Sequence, residues 1–384
     1  ACLHFLKKTA VLRLVRPVHL FGELGSTIYT GFPSAISRIS DTVRVTLMNN
    51  LLTAFVSVSA ITALSIRTQA SNFLGAVILG ISQAITPTIG MFFGEEDRTA
   101  MRDTLKITLR FGFTIVVILA VTLFAVPSLF CRLLGVQEGS IRDMSNMALR
   151  LFAAALPLYF VNTVLMNFYQ CTKRVGISSM ICILQSLIYS VVFSIILIHP
   201  LGAAGVWIAF ALGEVLTLMT IAILISWKQK KPVSSLDDIM MLEDNFGGSY
   251  QDRMELSIGN SMDEVVAIST GIYQLGKERS VSDRTLHILS LCIEEMAGNV
   301  VRHAFKAGEK RWLDVTIIEK SDTIILRLRD NGAPFDPLAY LSRSSGDTYG
   351  IKMIHALAEN FEYRRSMGLN NLIISLKNPS SEKR

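Results

Sequence analysis

Between residues 29 and 230 the chain runs through one apolar stretch after another, and this constrains its fold more than any other feature. A helix needs about 20 mostly apolar residues to cross the hydrocarbon core of a bilayer. Thr104–Phe130, Met147–Phe168, Ile177–His199 and Leu201–Trp227 each meet that length. Two earlier stretches, Tyr29–Val56 and Ala60–Phe93, are richer in Ser, Thr, Asn and Gly, as suits helices against a polar path or close neighbours. The pattern predicts an all-α bundle of six crossings. Only 18% of residues are charged, against about a quarter in an ordinary soluble domain, so the whole chain is not one soluble domain.

The basic residues separate two faces of this bundle. Of the polar breaks between spans, Gly94–Arg102, Thr172–Val175 and Lys228–Lys231 carry most of the Lys and Arg, Cys131–Asp143 is mixed, and the turns near Ser57 and Pro200 carry none. Cytoplasmic turns are the basic ones, so the C-terminal side of the sixth crossing is expected in the cytoplasm and the protein in the plasma membrane. The net charge of +6 lies at the ends of apolar segments and not on one patch. No nucleic-acid partner is implied, and membrane lipid is. The five cysteines are widely spaced without a C-x-x-C pair, which suggests buried reduced thiols.

Ionisable residues inside a span are costly. Arg38, Asp41 and Arg44 recur every third residue and share a helix face, and Arg67 and Glu214 also fall inside spans. They form either a polar path for a substrate and a coupling cation or ion pairs that fix packing.

From residue 231 the composition turns polar, acidic and Gly/Ser-containing, and 231–251 reads as a linker. Beyond it, strands are predicted over Arg253–Ile258, Leu313–Glu319, Thr323–Arg329 and Leu372–Leu376. Helices are predicted over Met262–Gly276, Ser282–Lys306 and Tyr349–Asn360. This order implies an α+β domain with a mostly antiparallel sheet. In Ser282–Lys306, the residues Leu286, Leu289, Ile293, Met296 and Val300 form the core stripe. Glu295, Asn299 and His303 are spaced by four and are expected on another face, with Glu294 in solvent.

Three elements of this domain suggest a site. A carboxylate and an amide one turn apart suit a hydrated magnesium ion and an activated water or hydroxyl. Asp330–Pro337 reads DNGAPFDP directly after a strand, a tight turn that brings backbone near a ligand. Ser344–Ile354, SSGDTYGIKMI, has two glycines at a helix start, where phosphate binds well. Each alone also fits a plain polar face, a plain turn or a plain loop.

Residues 20–230 resemble half of a transporter of the multidrug and toxic compound extrusion (MATE) family. The likeness rests on Gly31–Phe32–Pro33–Ser34, Asn49–Asn50–Leu51–Leu52, Ser82 with Pro87, Gly90 and Gly94, and Leu201 through Trp207. Full members have two six-helix halves, so the resemblance implies that a second half lies upstream of the basic segment 1–28 or that two chains pair as a homodimer. It also implies a small organic substrate.

Residues 252–378, ahead of a short tail at 379–384, resemble the GHKL ATPase superfamily and, within it, the anti-sigma-factor serine kinases. The likeness rests on EEMAGNVVRHAF, DNGAPFDP, YGIKMI and ENFEYRRSMGLNNLIISL. It implies an α+β two-layer sandwich of the histidine-kinase-like ATPase fold that binds ATP and Mg2+. Carried over, Glu295 is the general base, Asn299 the magnesium ligand and Asp330 the adenine contact. Gly332 makes room for the base, and Gly346 and Gly350 belong to the phosphate lid. The lid has fewer glycines than the family's Gly-Gly-x-Gly. Two functions are therefore expected: an ATP-dependent switch or serine kinase acting on an anti-anti-sigma-type protein, or a cation-coupled antiporter whose tail binds ATP only for regulation.

Overall fold

The computed structural model describes residues 20–136, 139–243, 246, 253–259, 261–278, 281–305, 311–320, 322–343, 349–366 and 368–377. Gly346, the segments 1–19 and 378–384 and most of 244–252 lie outside the described residues. The chain divides into two compact units, Ala1–Met241 and Leu242–Arg384.

The first unit is helical. Its long helices are α1 (Leu20–Phe55), α2 (Val58–Ala84), α4 (Arg98–Ala125) and α6 (Ser140–Cys171), then α8 (Tyr189–Leu201) and α9 (Ala203–Gln229). Short helices α3 (Thr86–Gly94) and α5 (Pro127–Leu133) extend α2 and α4, and α7 (Val175–Ile183) joins α8 through a π-turn at Leu184–Ile188. Five helical stretches among the described residues are long and apolar enough to cross a membrane: Val58–Gly94, α4, α6, Val175–Leu201 and α9. The expected first crossing is also a helix, but α1, which carries Arg38, Asp41 and Arg44, is not in that set.

The ends of these helices follow from local chemistry. Ser57 and Asp97 cap α2 and α4, accepting from the amides of Ala60 (3.4 Å) and Ala100 (3.1 Å). Gly202, at φ +55°, makes the turn between α8 and α9. A Cβ on Gly205 would stand 2.5 Å from the carbonyl carbon of Leu197, so glycine lets these two helices touch backbone to backbone. Met48, Leu52, Ala63 and Trp207 form a buried core, while Phe73, Ile118 and Ile223 are 61–70% exposed. Such an outer surface suits lipid and not water.

The first half of the expected linker is built into this unit. Residues Leu236–Met240 form α10, capped by a reciprocal Ser235–Asp238 pair. Asp238 Oδ2 accepts from both the amides and the hydroxyls of Ser234 and Ser235 at 2.9–3.0 Å, and Lys231 lies 2.5 Å from Oδ1. Lys231, followed by these hydrogen bonds, holds the Asp238 carboxyl well below the usual carboxylate range. Tyr169 donates to the Ile239 carbonyl (2.7 Å) and Arg174 to those of Met240 and Met241. Arg98 and Arg102 pair with Asp237 at 3.7 and 3.3 Å. This strap takes residues 231–241 out of the expected linker.

The second unit is a five-stranded antiparallel sheet with helices packed against its apolar face. Its strands are β1 (Arg253–Ile258), β2 (Leu313–Glu319), β3 (Thr323–Asp330), β4 (Asn360–Ser366) and β5 (Leu369–Lys377), in the order β1-β2-β3-β5-β4. Helices α11 (Met262–Glu278) and α12 (Asp283–Asn299) precede β2, and α13 (Pro337–Arg343) and α14 (Tyr349–Leu357) precede β4. Ser282 caps α12 through the Thr285 amide at 3.2 Å. The stripe of Leu286, Leu289, Ile293 and Met296 is buried as its spacing predicts, at no more than 3% exposure. The helix expected through Lys306 stops short. After Asn299 it widens into a π-turn, Val300–Ala304, and residue 306 lies outside the described residues. The wider turn breaks the four-residue register, so His303 does not continue the Glu295–Asn299 face and is exposed. Sequence reading missed β4 and α13.

Candidate functional site

Asn299 and Asp330 line one pocket. Asn299 ends α12 just before the π-turn, and Asp330 ends β3, so a helix C-terminus and a strand end meet there. Met296, Val300, Leu328, Phe335 and Leu372 supply apolar walls. Such a pocket, mostly apolar with a few polar groups, is the usual form of a small-molecule site.

Asp330 is 3% exposed and held by its neighbours. Its Oδ1 accepts from the Gly332 amide (2.7 Å) and from Asn370 Nδ2 (2.8 Å). Among the described residues Oδ2 accepts nothing, which leaves one lone-pair face for a ligand. Burial raises the Asp330 carboxyl above its ordinary value, against those two hydrogen bonds and the charges of Arg365 and Arg311. Asn370 is fully committed to this task. Its Nδ2 also donates to the Ala333 carbonyl (2.9 Å), and its Oδ1 accepts from Tyr363 (2.8 Å) and Arg365 (2.6 Å). The β3–β5 register sets the pair, because Asp330 and Asn370 are direct cross-strand partners. Asn370, Tyr363 and Arg365 were not found in the sequence; the only sign of them was the polar ending of an otherwise apolar strand.

Gly332 faces protein and not open space. A Cβ there would stand 2.8 Å from Ala304 Cβ, from Ala304 O and from Asp330 Oδ1. The Ala333 amide donates to the Ala304 carbonyl at 3.0 Å. The π-turn therefore brings Ala304 onto the Asp-Asn-Gly turn and locks the two ends of the pocket together.

Glu295 does not line the pocket. It lies one helical turn before Asn299, half-buried, against the start of α14: a Cβ on Gly350 would stand 2.9 Å from its Cδ. Glu295 and Gly350 thus meet at the start of α14. Arg302 approaches Asn299 Oδ1 at 3.5 Å and donates to the Gly298 carbonyl at 3.1 Å. The glutamate adjacent in sequence, Glu294, is exposed and accepts from Ser269 at 2.7 Å. Cys292 is buried beneath this helix, with its thiol pushed up to about 12 by burial.

In the membrane unit the structure brings Asp41, Arg44, Arg67 and Glu214 into one region and leaves Arg38 outside it. Arg44 pairs with Asp41 at 2.8 Å, and Arg38 is exposed with no ion pair among the described residues. Glu214 is engaged by two amides: Asn162 and Gln185 each donate to its Oε2 at 3.0 Å. Gln185 lies in the π-turn between α7 and α8.

Comparison with known proteins follows the same division. Residues 33–196 match the MatE family, and residues 260–376 match the histidine kinase-like ATPase domain. The serine/threonine-protein kinase BtrW of Bordetella bronchiseptica is 30% identical over 102 residues, which cover 24% of this chain and 72% of that protein. Among solved structures, an outward-facing multidrug resistance MATE family transporter of the MOP superfamily aligns with a TM-score of 0.51 at 19% identity, over 56% of this chain and 48% of that one. A MOP superfamily transporter from Pyrococcus furiosus aligns at 0.52 and 19%, over 56% and 49%. The bent form of the Vibrio cholerae MATE transporter VcmN aligns at 0.50 and 15%, over 55% and 48%. The chain spans about half the length of these transporters, and the likeness is one of fold. The chain is a membrane protein that belongs to the histidine kinase-like ATPase family through its C-terminal domain, with a segment ahead of it that matches the MatE family over residues 33–196.

Proposed function

We propose that the C-terminal domain, residues 252–378, is an ATP-binding switch on the cytoplasmic side of a MATE-like half-transporter at 29–230, and that it transfers phosphate to a serine of a partner protein of the anti-anti-sigma type. The observation that carries this reading is the shared pocket of Asn299 and Asp330. Its apolar walls fit a purine, and the free Oδ2 of Asp330 is an acceptor for an exocyclic amine. Asn299 Oδ1 meets only a long contact from Arg302 and is available to magnesium, which prefers oxygen ligands. Glu295 is placed near enough to the start of α14 to act as base for an incoming hydroxyl. Gly350, at the start of α14 beside Glu295, is the candidate contact for the phosphates. BtrW, a serine/threonine-protein kinase by name, supports the kinase reading.

The test is phosphoryl transfer from labelled ATP by the full chain in lipid nanodiscs to such a partner. The expected result is Mg2+-dependent serine labelling that Glu295→Gln abolishes while ATP binding persists. No Mg2+-dependent labelling would overturn the kinase assignment, and labelling unaffected by Glu295→Gln would remove Glu295 as its base.

A second reading applies to the membrane half. The buried Glu214, with its two amide donors, supports cation-coupled antiport of a small organic substrate, with the ATPase domain as regulator. Transport into proteoliposomes, driven by a cation gradient and lost in Glu214→Gln, is the expected result.

A further inference from the structure

Arg67 is a buried cation that forms no ion pair among the described residues, and the carboxylate whose charge reaches it is Glu214. It is 8% exposed, and its guanidinium lies over the rings of Phe210 (3.8 Å) and Phe152 (5.1 Å). It donates no hydrogen bond to any described residue, and no described carboxylate comes within 4 Å of it. Five N–H donors in an apolar bundle are costly to leave unmade. Ring contact offsets only part of that cost, because it satisfies charge and not the in-plane donors.

A second guanidinium shares the same ring. Arg44 lies 5.5 Å from the Phe210 centroid. One of its edges is used by Asp41 at 2.8 Å. Its Nε is buried and has no hydrogen-bond partner among the described residues. The remaining carboxylate of the region, Glu214, acts on both arginines through charge and not through a direct pair. Glu214 directs Oε2 to Asn162 and Gln185, and no ion pair joins it to either arginine among the described residues. Two cations held beside one aromatic face, with unused planar donors, form a receptor for an oxyanion. The planar fork of each guanidinium matches a carboxylate or a phosphate.

We propose that Arg44 and Arg67, braced on Phe210, form an oxyanion-binding site inside the MATE-like bundle, so that the membrane half accepts a carboxylate- or phosphate-bearing ligand. The site is independent of the ATP pocket and of the kinase reading.

The experiment is thermal unfolding of the full chain in nanodiscs, without nucleotide. In phosphatidylcholine discs, sodium benzoate is titrated against tetraethylammonium chloride at equal ionic strength. A third arm replaces part of the lipid with phosphatidylglycerol and omits benzoate. The expected result is a saturable rise in Tm with benzoate and none with tetraethylammonium, with the half-point shifted at least about tenfold in Arg67→Gln, as loss of a charge-assisted pair implies. A rise with phosphatidylglycerol alone that Arg67→Gln removes assigns the site to a lipid headgroup; a rise with benzoate alone assigns it to a free anion. Arg44→Gln, at a less buried position, repeats the test if Arg67→Gln does not fold. A response to tetraethylammonium and not to either anion would overturn the proposal. So would an anion response that persists unchanged in the folded arginine variants.

Discussion

Asn370 donates a 2.8 Å hydrogen bond to Oδ1 of Asp330 across the paired ends of β3 and β5. This bond turns an ordinary strand-end aspartate into an oriented one. Oδ1 is occupied by protein, so Oδ2 is the atom left for a ligand. The arrangement makes Asp330→Asn an informative substitution, because an amide keeps the shape and reverses the hydrogen-bonding sense at one atom. ATP affinity is expected to fall by about 1.5–3 kcal/mol, the cost of losing a charged hydrogen bond, or about 10- to 150-fold. Isothermal titration of the nanodisc-embedded chain measures it. Unchanged affinity would remove Asp330 from the site.

The same residue predicts a pH dependence. Because burial raises the folded carboxyl above its ordinary value, the folded protein holds this proton more tightly than the unfolded chain does. The contribution to stability is therefore full below about pH 4, the ordinary aspartate value, and is lost as pH rises through the raised folded value. Asp330→Asn cannot titrate. Without nucleotide, the Tm of the variant should gain on that of the parent as pH climbs from about 4 toward neutrality. A variant Tm that falls relative to the parent's over that range would contradict the account.

Gly350→Ala tests the contact at the start of α14. The added Cβ collides with the end of the Glu295 side chain, which can swing aside, and alanine favours helix. Stability is expected to change by less than about 0.5 kcal/mol. Phosphoryl transfer should nevertheless drop, since Glu295 is displaced. Full transfer in the variant would show that the position of Glu295 does not matter.

Gly332→Ala meets rigid neighbours instead. Its Cβ would press on Ala304 and on Asp330 Oδ1, and the backbone there is pinned by the Ala333–Ala304 hydrogen bond. Overpacking of this kind costs about 1–3 kcal/mol. Chemical denaturation followed through the sheet should show that loss together with weakened ATP binding.

The strap at 231–241 predicts protection from proteolysis. Arg174→Ala removes the donors to Met240 and Met241, and Asp238→Asn removes the Lys231 pair. Either substitution should speed limited proteolysis between residues 231 and 241 in the full chain, while cleavage further along is unchanged. Equal rates in parent and variants would show that the strap is not held by these contacts.

The sequence made the fold readable where one period dominates. The apolar runs marked the helices of the first unit, and the stripe Leu286, Leu289, Ile293 and Met296 marked the core face of α12. Glu295, Asn299 and Asp330 stood out because acids and amides are conspicuous against apolar neighbours. What stayed hidden depended on register and on distant pairing. The π-turn at Val300–Ala304 leaves no periodic trace, yet it moves His303 off the Asn299 face. Asn370 gains meaning only when β5 pairs with β3. The polar sequence after Lys231 resembled a linker because its contacts, from Tyr169 and Arg174, come from residues about 70 positions earlier. In α1, Arg38, Asp41 and Arg44 shared the predicted face, but only Asp41 and Arg44 pair.

The central claim is that Asn299 and Asp330 hold a magnesium-bound purine nucleotide in one pocket. Equilibrium ATP binding to the full chain in nanodiscs, with and without Mg2+ and in parallel with Asp330→Asn, tests it most directly. The account predicts binding that needs Mg2+ for full strength and is lost in the variant. No binding by the parent, or equal binding by both proteins, would contradict it.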